Sequence, residues 1–234
     1  MGSLKVVTAY YDLAQADNRV MVEWLLRPRQ KPPRSLRHAL ADLIIGRLFR
    51  ATDVRYTLAE MLHSSAMRSA FDLVIIDCPP RLTTSEMQAF CAATHLLIPT
   101  IFDRPSAEAV VSLANQIETL KGEGICPHLQ YVGVVGTKWK ANFNAQQAEL
   151  AFLTQQLAGN RSGLAVLHQD NFVPMTVQIV ENADQGIAYI MMPDNDRVGV
   201  REAIETLART IAGQMGLPIP LAMAAAPQRQ RNGA

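Results

Sequence analysis

With 234 residues and 49% hydrophobic content, the chain has enough apolar material for one sizeable core, which excludes a chain too polar to fold. A formal net charge of +1 carries no global message about partners, and no apolar run approaches the ~20 residues that span a bilayer. With no signal peptide at the start either, the expectation is a cytoplasmic protein. Cys78, Cys91 and Cys126 lack CxxC spacing and the five histidines form no HExxH pattern, which argues against a disulfide framework or a structural zinc site.

In chain order, Leu4 to Tyr11 (LKVVTAYY) predicts a short strand, followed by a helical stretch through Leu26 with Leu13, Ala16, Val20 and Trp24 on one side. Residues 27–35 (RPRQKPPRS) predict an exposed loop, because Pro28, Pro32 and Pro33 block helix continuation. Between Arg27 and Arg55 eight basic residues stand against two acidic ones. Such a run reads first as a solvated face, and second as phosphate-contacting residues, Arg27, Arg29, Lys31, Arg34 and Arg37 among them. Helices are predicted from Leu36 to Arg50 and from Thr57 to Ser69.

Phe71 to Pro80 (FDLVIIDCPP) is the stretch around which the chain is organised. Four consecutive apolar residues, Leu73 to Ile76, carry no polar alternation and predict a central parallel strand covered on both faces. Pro79 and Pro80 would stop its ladder and leave Asp77 at its carboxyl end, where α/β sheets hold ligands and a carboxylate could bind Mg²⁺ through water. An Asp before Pro-Pro also suits a simple turn.

Beyond it, Thr83 and Glu86 match a capping box for a helix to Ala93. Leu96 to Ile101 predicts a buried strand, and Ser106 a cap for a helix ending at Gly122. Tyr131 to Gly136 (YVGVVG) predicts a strand with Thr137 at its carboxyl end, next to Lys138 and Lys140 around Trp139. Asn144 is the expected cap of a helix stopped by Gly159. Leu164 to Leu167 predicts a short strand, FVPMTVQIVENADQG comes after it with Pro174 in its turn, and Val200 to Ile211 marks a last amphipathic helix. Residues 1–216 are expected as one α/β domain and 217–234 as a disordered tail. Strands alternating with helices predict a mostly parallel sheet.

FDLVIIDCPP, the helix after it and then HLLIPTIFDRPSAEAV together resemble the Walker B strand and following segment of the ParA/Soj/MinD family of deviant P-loop ATPases. The resemblance implies a mostly parallel, doubly wound sheet of the P-loop NTPase type, incomplete at its N-terminus, and ATP-dependent segregation of plasmid or chromosomal DNA. It implies ATP and Mg²⁺ as cofactors, Asp77 as the catalytic and metal-binding carboxylate, Thr137 near the adenine and Pro174 in the loop bordering the base. For the latter two, a strand-end cap and a turn proline are the plain readings. The family also binds DNA nonspecifically, which would employ Arg27 and its basic neighbours.

The sequence departs from the family where phosphate chemistry is concentrated. Nothing matches GxxxxGK[ST], the loop whose amides and lysine cradle the phosphates, so the chain alone is expected not to bind ATP tightly. The expectation is a chain beginning in the middle of the fold, its uncovered strand calling for rearrangement, a partner or a missing segment. The competing reading is a pseudo-ATPase or interaction module that binds an intact ParA-like relative, a ParB-like partner, DNA or a second copy. A third, that Asp77 to Pro80 is the Asp-Pro-Pro-aromatic motif of amino methyltransferases, founders on Arg81 at the aromatic position and the lack of a GxG loop.

Overall fold

The computed structural model describes residues 5–6, 53–78, 83–160, 162–175 and 194–217. The expected strand at 4–11 (apart from Lys5 and Val6), the helices to Leu26 and at 36–50, the basic loop, Pro79, Pro80 and the tail from residue 218 lie outside them. The chain divides into two compact units, Met1–Thr94 and His95–Ala234.

In the first unit, Asp53 caps a 3₁₀ turn, Val54–Tyr56, by accepting from Arg55 N at 3.1 Å. The single helix expected from Thr57 to Ser69 is two, α1 (Thr57–Leu62) and α2 (Ser65–Ala70). Ser64 separates them: its extended backbone lets its Oγ accept from Met67 N and start a new helix. His63, at the end of α1, donates from Nε2 to Ala92 O at 2.8 Å. The expected capping box opens α3 (Thr84–Ala92): the hydroxyl and backbone N–H of Thr83 both donate to Glu86 Oε2, the latter at 2.7 Å.

Leu73–Ile76 departs from expectation. The segment forms no strand, and Leu73, Val74 and Ile75 are 46%, 44% and 83% exposed. Four aliphatic residues in a row state that both faces need covering, but a strand exists only when a neighbour supplies the ladder. Among the described residues none does.

The second unit is built on a parallel pair, β1 (His95–Thr100) and β2 (Gln130–Gly136), joined by the long helix α4 (Arg104–Gly122). Parallel neighbours need such a crossover, so the element order and the pairing agree on an α/β fold. Asp103, rather than Ser106, caps α4 by accepting from Ser106 N at 2.8 Å. Pro105 in the first turn costs nothing there because that amide would have no helical partner.

α5 (Asn144–Ala158) begins at Asn144 without a side-chain cap and ends before Gly159 as expected. Its Leu150, Leu153 and Leu157 are buried, each worth roughly 1.5–3 kcal/mol of transfer free energy. Arg104 bridges toward this helix, its guanidinium 4.0 Å from the Phe152 ring and 3.2 Å from Glu149 Oε2. That carboxylate oxygen is buried with no well-directed hydrogen bond, so the ion pair is its compensation.

The strand expected at Leu164–Leu167 is reduced to one parallel bridge, Val166 to Val134, held by Val134 N to Ala165 O and Leu167 N to Val134 O. A bulge between Leu96 and Leu97 lets β2 admit this crossing. Gly133, at φ 143°, is the residue that permits it, since a Cβ there would meet Leu167 Cδ2 at 2.7 Å. A 3₁₀ turn, Gln169–Asn171, and the helix α6 (Asp194–Met215) complete the unit. Thr210 of α6 donates to the buried Asn171 Oδ1 at 2.7 Å. At the amino end of β2, burial and a 2.9 Å hydrogen bond to Glu118 push the Tyr131 phenol well above its ordinary value.

Candidate functional site

The carboxyl ends of β1 and β2 carry the most constrained polar groups of the second unit. Thr137, just past β2, donates to Thr100 O twice, from its amide at 2.7 Å and from its hydroxyl at 3.0 Å. The hydroxyl proton is therefore committed, which leaves the oxygen of this half-buried residue its acceptor capacity.

Lys138 then turns left-handed at φ 52°, a conformation costing a non-glycine residue about 1–2 kcal/mol. Gln146 of α5 holds that turn by donating to Lys138 O at 3.2 Å and accepting from Lys140 N at 2.8 Å. Alternation across the turn sends Lys138 and Lys140 to solvent and Trp139 inward. Neither lysine has an ion-pair partner among the described residues.

Trp139 joins this turn to the segment carrying Pro174. Trp139 N donates to Val173 O and Met175 N to Trp139 O, both at 3.1 Å, while Val173 N donates to Gly136 O at 2.9 Å. Pro174 lacks a donor, and its position between Val173 and Met175 is the one where none is needed. Beneath, Phe102, Trp139 and Phe172 form a closed trio with ring centroids 5.1–5.4 Å apart, two of the three contacts edge-to-face.

Thr137 and Pro174, 37 residues apart by the numbering of the chain, thus share one end of the unit. Neither Thr100, Gln146 nor the packing of Trp139 with Phe102 and Phe172 was legible in the sequence: the partners of Thr100 and of the rings are more than thirty residues away, and the Gln146 contacts depend on a turn that leaves no periodic signal. Chemically, this end offers a hydroxyl acceptor, a prolyl ring and two ammonium groups to a polar, flat or anionic ligand.

Asp77 belongs to the first unit, at the end of the Leu73–Ile76 segment, which pairs with no strand among the described residues. It is exposed and makes no hydrogen bond or ion pair with a described residue. The neighbouring Cys78 thiol is pushed up by partial desolvation and by the Glu86 and Asp77 charges. No three His, Cys, Asp or Glu side chains among the described residues converge on a metal position. A free carboxylate suits Mg²⁺ held through water, and the Thr137 end suits a base. A triphosphate does not fit as well, because no described glycine-rich turn leads into a helix N-terminus, and the first turn of α4 is closed by its own Asp103. Arg27, Arg29, Lys31, Arg34 and Arg37 lie outside the described residues.

Three comparisons bear on this arrangement. A family profile described as AAA domain matches residues 38–131. The chromosome partitioning protein ParA of Myxococcus xanthus is 31% identical over 78 residues, which cover 33% of this chain and 27% of that protein. Two solved structures of McdA from Cyanothece, one of the apo protein and one an ATP complex of a variant, each superpose with a TM-score of 0.56 at 16% identity. They cover 73% and 76% of this chain and 64% of theirs, a likeness of fold. The chain thus spans just over a quarter of the curated relative and under two thirds of the solved ones. Among the described residues no helix is long and apolar enough to cross a membrane.

Proposed function

The chain is a relative of the ParA family, and from that premise we propose that it serves DNA segregation as a ParA-like partitioning protein that does not bind ATP tightly by itself. The observation that carries this reading is the contrast between the two half-sites. Thr137 and the segment carrying Pro174 are fixed by backbone hydrogen bonds at one strand end, whereas Asp77 sits exposed on a segment without a ladder among the described residues. In this reading Thr137 and Pro174 border the base, Asp77 holds Mg²⁺ through water, and the sheet is doubly wound as in P-loop NTPases. A carboxylate without a phosphate cradle leaves no route to hydrolysis from these residues alone.

The test is a titration of the full chain with a fluorescent ATP analogue and Mg²⁺, with Asp77→Ala as control. Saturation is expected only above the micromolar range. Micromolar, Mg²⁺-dependent binding lost in Asp77→Ala would overturn the proposal. DNA contact belongs to the same reading, through Arg27, Arg29, Lys31, Arg34 and Arg37. Changing all five to Ala should lower low-salt affinity for duplex DNA by about tenfold or more, and unchanged affinity would remove them from the interface.

A second reading, an interaction module that binds a ParA-like or ParB-like partner or a second copy, is favoured by the exposed Leu73–Ile76. Both readings go with a cytoplasmic location.

A further inference from the structure

Leu73–Ile76 combines three unmet requirements. Three of its four aliphatic side chains, Leu73, Val74 and Ile75, are exposed, which forgoes roughly 25 cal/mol for each Å² left in water. Its backbone makes no ladder hydrogen bonds with described residues, and its nearest polar contact is Cys78 Sγ at 3.9 Å from Ile76 O. Its two ends carry exposed carboxylates, Asp72 and Asp77, without ion-pair partners among the described residues. A run of β-preferring side chains whose backbone has no ladder partner among the described residues is suited to accept another strand. The segment is also pre-ordered: Phe71 N is tied to Met67 O at 3.0 Å, and Phe71 and Ile76 are half-buried.

We propose that Leu73–Ile76 is a strand-acceptor site for an extended, aliphatic-rich segment of another protein that carries Lys or Arg at its ends. Charge decides between this occupant and a second copy of the same segment. In an antiparallel self-pair that sets Leu73 opposite Ile76, Asp72 of one copy faces Asp77 of the other at both ends. In a parallel in-register pair each Asp faces its own equivalent. Like charges directly opposite destabilise a pair, whereas a basic flank turns the same positions attractive. The site deepens the interaction-module reading by giving the partner's chemistry, and it needs no nucleotide, so its failure and a failure of the ATP titration are read separately.

The experiment uses the full chain and two fluorescein-labelled peptides, Lys-Val-Thr-Val-Val-Lys, whose lysines have the same spacing as Asp72 and Asp77, and its counterpart with Glu at both ends. Anisotropy at low salt should show the basic-flanked peptide binding at least about tenfold more tightly. Hydrogen exchange should slow at residues 73–77 only when that peptide is present. Val74→Pro, which removes a backbone donor, should weaken binding by about tenfold or more. Asp72→Asn, a surface change that leaves the fold intact, should narrow the preference between the peptides. Equal binding of both peptides, or none, overturns the proposal. So does protection of residues 73–77 without peptide: if it rises with protein concentration the occupant is a second copy, and if it does not, another part of the same chain.

Discussion

Replacing Phe172 with Ala should destabilise the second unit by about 3–5 kcal/mol, the range for deleting a buried aromatic ring. Phe172 is 3% exposed and touches both other members of the trio, at 5.1 Å from Phe102 and 5.3 Å from Trp139. Its ring cannot be replaced by collapse from one side, because Phe102 and Trp139 are themselves fixed by β1, β2 and the Gln146-held turn. The loss should spread to the site. Val173 N to Gly136 O and the Trp139–Pro174 bridge come directly after Phe172, so Pro174 should lose its fixed place beside Thr137. Guanidinium unfolding followed by tryptophan emission checks the energy, and hydrogen exchange at Trp139 and Met175 checks the spread. Phe172→Leu, which keeps bulk without the ring, should cost clearly less. An unchanged midpoint for Phe172→Ala would mean that the trio is not part of the folded core.

The same packing explains why Thr137 and Asp77, each in its own unit, are held so differently. Around Thr137, each backbone group is met by another element of the same unit: Thr100 from β1, Gln146 from α5, Val173 from the bridge segment. Around Asp77, the described residues of the first unit offer α1, α2 and α3 but no strand. A carboxylate positions a metal ion only as well as its backbone is positioned, and among the described residues that backbone has no ladder partner. Strand addition at Leu73–Ile76 would supply the missing constraint, which ties the acceptor site to the geometry of Asp77, the carboxylate that faces one basic end of the partner.

How much the sequence disclosed depends on the range of the forces involved. β1, β2, α4 and α5 were legible because their signals are local: unbroken aliphatic runs for strands, helical spacing for Leu150, Leu153 and Leu157, a glycine at the end. Boundaries moved where two local devices competed, as when Asp103 took the capping role from Ser106 and Ser64 restarted a helix that apolar spacing alone would have continued. Leu73–Ile76 shows the limit in the other direction. Its composition specifies a covered strand, but coverage is a property of neighbours, and no residue within the segment encodes whether one is present. At the site, Thr137 was visible as the residue after a strand. Its tie to Thr100 and the meeting of Phe102, Trp139 and Phe172 arise from contacts spanning tens of residues, and the Gln146 clamp, six and eight residues long, follows the shape of a turn rather than any periodic signal.

Gly136→Ala is expected to cost about 1–3 kcal/mol, by overpacking rather than by backbone strain. A Cβ at Gly136 would stand 2.4 Å from Phe102 Cε2 and 2.9 Å from both Cγ and Cδ2 of Phe172. A ring edge can swing away about χ2, but Cγ stays in place under that rotation and moves only if χ1 or the backbone changes. Phe102 has no space to retreat either, since Trp139 lies against it edge-to-face at 5.4 Å. The strain must therefore pass into the end of β2, where Thr137 hangs on Thr100 O and Val173 hangs on Gly136 O. That path gives two readouts: a lower unfolding midpoint, and a shifted Trp139 emission in the folded state. Combining Gly136→Ala with Phe102→Leu should recover part of the loss, because the smaller side chain clears the nearest clash, so the pair should be less than additive. Full additivity would show that the methyl meets something other than these rings, and would detach the aromatic trio from the control of Thr137.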